Sequence, residues 1–175
     1  MHSTRLFLTA FLPVALAGYG GVTIFNGCHF PVYGFTTTET LAATTPSTIW
    51  PGQWHWEPYQ YPQTGGTSIK LSAFAQLGGP ITQLEYSFAG GLIYYDMSNV
   101  NCGPTSQSDK GACPFVGGGM YLESDNPKCP TKRCENGDQY CGEAYNLLND
   151  DWAVGLCGND GSNLVMFLCK DWPVG

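Results

Sequence analysis

The segment Ile81-Thr-Gln-Leu-Glu-Tyr-Ser-Phe-Ala-Gly-Gly-Leu-Ile-Tyr-Tyr-Asp96 decides the fold class. It reads as two strands, Ile81–Phe88 and Gly91–Asp96, separated by Ala89-Gly90, a tight-turn signal. β-Branched and aromatic residues fill both halves because they pack well on a pleated, half-buried surface. The rest of the chain repeats the pattern: Val22–Phe25 and Phe30–Phe35 around Cys28, then Thr67–Ser72, and a closing run Asn163–Cys169. No long stretch spaces its apolar residues at three and four, and short runs end at glycine or proline, so the expectation is an all-β domain. Only Glu143–Asn149 reads as a short helix.

The N-terminus reads as an export leader: Arg5, the apolar run Leu6–Leu16 and a small-residue cleavage site at Ala15-Leu16-Ala17 place residues 1–17 in a signal peptide. Residues 18–175 then form one domain, with Gly18 or Tyr19 first. The apolar run falls short of the roughly 20 residues that cross a bilayer. Loss of Arg5 leaves 14 acidic residues against 6 basic ones, a net charge of −8. That sign repels phosphate backbones and anionic headgroups, so nucleic acid and membrane are excluded as expected partners. No Asn-x-Ser/Thr sequon occurs; the threonine-rich run Thr36–Thr48 offers hydroxyls for O-linked sugar or a solvated edge.

Eight cysteines, Cys28, Cys102, Cys113, Cys129, Cys134, Cys141, Cys157 and Cys169, are an even number in an exported chain, which reads as four disulfides. Cys129-x4-Cys134 is the one loosely metal-like spacing, and no metal or other cofactor is expected. Between Cys102 and Cys141, glycine, proline and polar residues separate five of the cysteines. That composition reads as a disulfide-rich excursion from the core, held by cross-links.

Trp50-Pro-Gly-Gln-Trp-His-Trp-Glu-Pro-Tyr-Gln-Tyr-Pro62 holds three of the chain's five tryptophans. Strand alternation places Trp54 and Trp56 on one face and His55 and Glu57 on the other. The expectation is that the tryptophan face is buried. Pro58 and Pro62 donate no ladder hydrogen bonds, so a sugar-stacking platform is expected at Tyr59 and Tyr61 instead.

Four places, in order, resemble the thaumatin-like protein family: Val22-Thr-Ile-Phe-Asn-Gly-Cys28; the turn Pro51-Gly-Gln53; Leu84–Phe88 followed by Tyr94-Tyr-Asp-Met-Ser-Asn-Val100; and Cys141-Gly-Glu-Ala-Tyr145 with Asp150-Asp151, Cys157 and Asn163–Cys169. The chain is most similar to the small secreted fungal members described as antigenic or yeast-phase-specific. The resemblance implies a thaumatin-like β-sandwich with a shortened disulfide-stapled region. It also implies the pairs Cys28–Cys169, Cys129–Cys157, Cys134–Cys141 and Cys102–Cys113.

The same resemblance implies an acidic cleft. Glu85 and Asp96 match two of its carboxylates and Glu143 stands at a third. Asn101 falls where a further aspartate is expected, and Ser68 where an arginine is expected, with Lys70 on the same strand face to replace the cation. Two carboxyl groups flanking a sugar bond suit glycoside hydrolysis at separations of about 5–5.5 or 6.5–9.5 Å. The same groups suit hydrogen bonding to glucan hydroxyls, or a plain solvated face.

His29 and His55 lack local partners for a catalytic triad, and Gly117-Gly-Gly119 lacks the lysine of a phosphate loop, reading as a flexible turn. The implied protein is a monomer, extracellular or wall-associated, that binds cell-wall polysaccharide, a β-glucan, and takes part in wall remodelling such as spore germination. The alternatives are a weak endo-β-1,3-glucanase, and an antigen or adhesin meeting a host-surface protein.

Overall fold

The structure, a computed structural model, describes residues 20–42, 45–103 and 112–170. The leader and its cleavage site lie outside the described residues. Among the described residues twelve strands follow in chain order: β1 Gly21–Asn26, β2 Val32–Thr37, β3 Ser47–Ile49, β4 Trp54–Pro58, β5 Thr67–Ser72, β6 Ile81–Ala89, β7 Leu92–Asn101, β8 Met120–Ser124, β9 Lys132–Cys134, β10 Ala144–Tyr145, β11 Gly155–Gly158 and β12 Leu164–Leu168. One sheet runs β4-β1-β12-β8-β9; the other runs β10-β7-β6-β5-β2-β3, with β11 also paired to β7. Their inner faces share one core, with Val22, Ile24, Leu122, Leu164 and Met166 from the first sheet against Ile69, Leu71, Leu84, Tyr95 and Met97 from the second. This is a two-sheet β-sandwich of the kind the resemblance implies.

The central hairpin forms as expected, one residue out of step. Gly90 and Gly91 are the two turn residues, with φ of 59° and 77°. A two-residue turn whose twist matches the strands needs positive φ at both positions, which glycine adopts without a Cβ penalty. Ala89 therefore stays in β6, paired with Leu92.

β1 and β12 pair in parallel, from Val22↔Leu164 to Asn26↔Leu168, and the chain leaves both at the same end. Cys28 and Cys169 meet there in a disulfide spanning 141 residues. Asn26 organises that end from a fully buried position. Its side-chain NH2 donates to the carbonyls of Phe30 (2.9 Å) and Ile49 (2.7 Å), and its Oδ1 accepts the Cys28 N–H at 2.9 Å. An unpaired buried amide is costly, so an asparagine satisfied on both sides fixes three chain segments at once. Cys102–Cys113, Cys129–Cys157 and Cys134–Cys141 form the other three bridges, so all four pairs are as the resemblance implies.

Four expectations are corrected. The stretch from Cys102 to Cys141 is not merely an excursion: β8 pairs with β12, and Phe115 and Leu122 are fully buried in the shared core. Only Met120 and Leu122 of β8 point inward, too short an alternation to stand out among prolines and glycines. Glu143–Asn149 forms no helix. Asp150 Oδ2 accepts the N–H groups of Asn146 and Leu147 (2.9 Å each), the donors a helix would have turned to its own carbonyls.

The tryptophan face of β4 is not buried: Trp54 and Trp56 are 56% and 55% exposed. β4 is the edge strand, and its inward positions, opposite Ile24 and Val22, hold His55 and Glu57. Both carboxylate oxygens of Glu57 accept the Thr36 hydroxyl (2.9 and 2.8 Å), with His55 Nε2 3.5 Å away. The rim of the sandwich is thus closed by a satisfied polar group rather than by indole. Gly117-Gly-Gly119 is a tight turn rather than a flexible one, since a Cβ on Gly118 would stand 2.6 Å from the Cys169 backbone.

Candidate functional site

Four strands of the second sheet place one polar residue each on the same outward rung. Thr37 on β2 is opposite Ser68 on β5, Ser68 opposite Glu85 on β6, and Glu85 opposite Asp96 on β7. Alternation makes this unavoidable once Leu84, Tyr86, Tyr95 and Met97 are committed to the core. The rung floors a cavity of about 570 Å³, walled by Tyr94, Ser87, Thr38, the Gly65-Gly66 turn and Tyr145 of β10. Its lining is thus hydroxyls, the two carboxyls of Glu85 and Asp96, and the tyrosines Tyr86, Tyr94 and Tyr145.

The adjacent rung holds Lys70, Gln83 and Ser98 in register. Gln83 Oε1 accepts Lys70 Nζ at 2.6 Å and the Ser68 hydroxyl at 2.9 Å, tying the two rungs together. Lys70 stands beside the cavity rather than in its lining, yet its charge acts on Glu85. Burial pushes the Glu85 carboxyl up, and Lys70 and the hydroxyls of Ser98 and Ser68 pull it partly back. Asp96 is pushed up to about 7, first by burial and then by the Glu85 charge, with Lys132 opposing. Asp96 Oδ1 is buried with no hydrogen-bond partner among the described residues. An unpaired buried carboxyl oxygen is costly as an anion and far less so when protonated. Below about pH 7 Asp96 therefore holds a proton that it can donate into the cavity.

The other candidates divide. Asn101 pairs with Ile81 at the far end of β7, five strand steps or about 16 Å from Asp96, and is not in the cavity. Glu143 is exposed; its Oε2 accepts the Arg133 N–H at 2.6 Å and so caps β9. Its neighbour Tyr145 lines the cavity instead, its hydroxyl donating to Asp151 Oδ1 at 3.1 Å. Tyr59 is no platform: it is 5% exposed, donates to the Ser162 carbonyl at 2.9 Å, and packs on Tyr86 and Phe88 with ring centroids 5.1 Å away in each case. The alternation that turns His55 and Glu57 inward carries Tyr59 inward too, its N–H donating to the Gly20 carbonyl at 3.1 Å. Tyr61 is exposed and stacks on Phe88 at 4.7 Å.

Sequence reasoning missed Thr37, Ser87, Tyr94 and Tyr145. Ser87 and Tyr94 were accessible to it, being two residues from Glu85 and Asp96 and opposite each other. Tyr145 was not, because its place depends on a two-residue parallel pairing, Ala144↔Met97 and Tyr145↔Ser98.

Three kinds of comparison bear on the chain. Residues 9–170 match the family described as Blastomyces yeast-phase-specific protein. The antigenic thaumatin-like protein of Arthroderma benhamiae is 32% identical over 93% of this chain and 78% of its own length. The secreted thaumatin-like protein calA of Emericella nidulans is 31% identical over 80% and 77%. Among solved structures, the protein elicitor MoHrip2 from Magnaporthe oryzae superposes with a TM-score of 0.66 at 21% identity, over 86% of this chain and 99% of that one. The thaumatin-like xylanase inhibitor TLXI gives 0.53 at 18%, over 85% and 99%. At those identities the two structures speak for the fold.

Proposed function

For a chain that belongs to the Blastomyces yeast-phase-specific family of secreted thaumatin-like proteins, we propose that the cavity on the second sheet binds a β-glucan chain of the cell wall, in the service of wall remodelling such as spore germination. The observation that carries this reading is the rung Thr37–Ser68–Glu85–Asp96, four hydrogen-bonding side chains in line on a rigid sheet. A glucan offers alternating donors and acceptors along its length, and a row of hydroxyls and carboxyls meets it with either. Tyr94 and Tyr145 supply the apolar ring faces that sugar rings pack against. Titration with laminarin oligosaccharides, followed by residue-resolved NMR, tests it. Shifts at Ser68, Glu85, Asp96 and Tyr145 are expected; an oligosaccharide that perturbs none of them overturns the reading.

A second reading, a weak endo-β-1,3-glucanase, is favoured by one observation. Directly opposed residues of an antiparallel pair have Cβ atoms about 4.5–5.5 Å apart, near the carboxyl spacing of a retaining glycosidase. One of that pair, Asp96, holds a proton up to about pH 7. Release of reducing sugar that disappears in Glu85→Gln is the outcome that would promote it. The third reading, an antigen or adhesin at a host surface, is tested separately by binding to host-cell proteins, which Asp96→Asn is expected to leave unchanged.

A further inference from the structure

From the outward face of the first sheet, we infer a second carbohydrate-binding surface, separate from the cavity: a flat platform of Trp54 and Trp56 on which an uncharged polysaccharide chain lies by ring stacking. Both indoles are more than half exposed although they sit on a regular strand. They are two residues apart on one side of β4, about 6.6 Å along the strand, a spacing on the scale of a sugar ring and its linkage.

Each ring is held in place from behind. A Cβ on Gly21 would fall 2.7 Å from Trp56 Nε1 and 2.9 Å from its Cε2, so the indole lies against bare backbone and turns its other surface outward. Trp54 rests on Phe25, with centroids 4.7 Å apart at 47°, and meets Phe167 edge-on at 5.6 Å. Rings fixed in this way lose little entropy when a ligand arrives.

The surroundings choose the occupant. On the same face Thr23 and Phe25 follow on β1, then Val165 and Phe167 on β12, and the first acidic residue across the sheet is Glu123 on β8. Lys170 sets its ammonium 5.6 Å from the Phe25 centroid. In a chain this acidic, a face to which β4, β1 and β12 turn no carboxylate, Glu57 of β4 lying on the opposite side, marks a patch for an uncharged ligand. The two tryptophans expose roughly 150–300 Å² of ring between them. A stable protein interface needs roughly 800 Å² per partner, so the patch is too small for a second copy of the chain and sufficient for a few stacked sugars.

The test is co-sedimentation of the mature protein with insoluble β-1,3-glucan, chitin and cellulose. Trp54→Ala with Trp56→Ala is expected to weaken the association constant by about ten-fold or more for at least one of them. Trp54→Phe with Trp56→Phe, which keeps a ring at both places, is expected to stay within about three-fold of the unaltered protein. The alanine pair is expected to leave the laminarin-oligosaccharide shifts at Ser68, Glu85 and Tyr145 of the cavity unchanged, because neither tryptophan lines it, so failure of one site is distinguishable from failure of the other.

Should the alanine pair misfold, oxidation of the unaltered protein by N-bromosuccinimide, mapped by mass spectrometry, probes the same contact: bound polysaccharide is expected to protect Trp54 and Trp56. Full retention of binding by a folded alanine pair, or oxidation undiminished by polysaccharide, overturns the inference. A dimer in the unaltered protein that the alanine pair abolishes also overturns it, and assigns the face to a second copy.

Discussion

Asp96 and Glu85 oppose each other directly across the β6–β7 hairpin, and Asp96 keeps its proton up to about pH 7. An acid whose folded value lies above its unfolded one binds its proton more tightly in the native state. Its contribution to stability is complete below the unfolded value, 3.8, and is lost as the pH rises through about 7. Asp96→Asn removes that dependence. Thermal melts between pH 4 and 8 are expected to show the variant gaining on the unaltered protein as pH rises, by on the order of 2–4 kcal/mol at pH 8. A difference that is flat with pH would show that the aspartate is not held in its acid form.

Asn26 satisfies three backbone groups from a position with no solvent access. Asn26→Ala strands the Cys28 N–H and the carbonyls of Phe30 and Ile49, and is expected to cost about 2–4 kcal/mol in urea unfolding. Asn26→Asp retains the acceptor for Cys28 but places a charge where two carbonyls point inward. It is expected to be at least as damaging at pH 7, and to recover partly in acid.

The four disulfides are unequal in the chain length they close. Cys28–Cys169 spans 141 residues and Cys134–Cys141 spans 7. Loop-closure entropy alone puts serine replacement of the first pair at about 5 kcal/mol and of the second at about 2.5 kcal/mol. Chemical denaturation of the two paired-serine variants checks the order, and equal losses would mean that local packing outweighs loop length.

Tyr59 and Tyr61 are two residues apart and opposite in role. Tyr59→Ala empties a buried site packed by Tyr86 and Phe88 and is expected to cost about 3–5 kcal/mol, while Tyr59→Phe forfeits only the bond to the Ser162 carbonyl, about 1–2 kcal/mol. Tyr61→Ala, at an exposed ring stacked on Phe88, is expected to stay below about 1 kcal/mol. Melting temperatures of the three variants separate these outcomes.

Strand identity was legible wherever β-branched and aromatic residues filled a run bounded by glycine or proline, as in β1, β5, β6, β7 and β12. The disulfide framework was legible through resemblance, since spacing leaves the connectivity open. What stayed hidden was anything set by a partner distant in sequence. β8 is a core strand only because β12 lies beside it, and β10 exists only because two residues of β7 accept it. The orientation of β4 failed for a related reason. Alternation correctly separated Trp54 and Trp56 from His55 and Glu57, but hydrophobicity alone chose the wrong pair for the interior. The inward slot belonged to the side chain that Thr36 could satisfy. At the site, Glu85 and Asp96 were found by resemblance, and register makes them neighbours. Asn101 and Glu143 were carried over from sequence position, which cannot register how far along β7 a residue lies or which backbone N–H a carboxylate will cap.

The parallel pairing of β1 with β12 sets the order of assembly during export. Among the described strands β1 is the first to emerge from a translocation channel and β12 the last, yet β1 lies between β4 and β12 in its sheet. Until residues 164–168 have passed, that sheet is missing a central member and the apolar face of β1 has no lasting cover. Pairings so far apart in sequence are slow because the intervening chain must be ordered before they are rewarded. The nascent polypeptide therefore stays open while it is threaded, and final closure takes place on the outer side, where the thiols of Cys28 and Cys169 first meet in an oxidising medium.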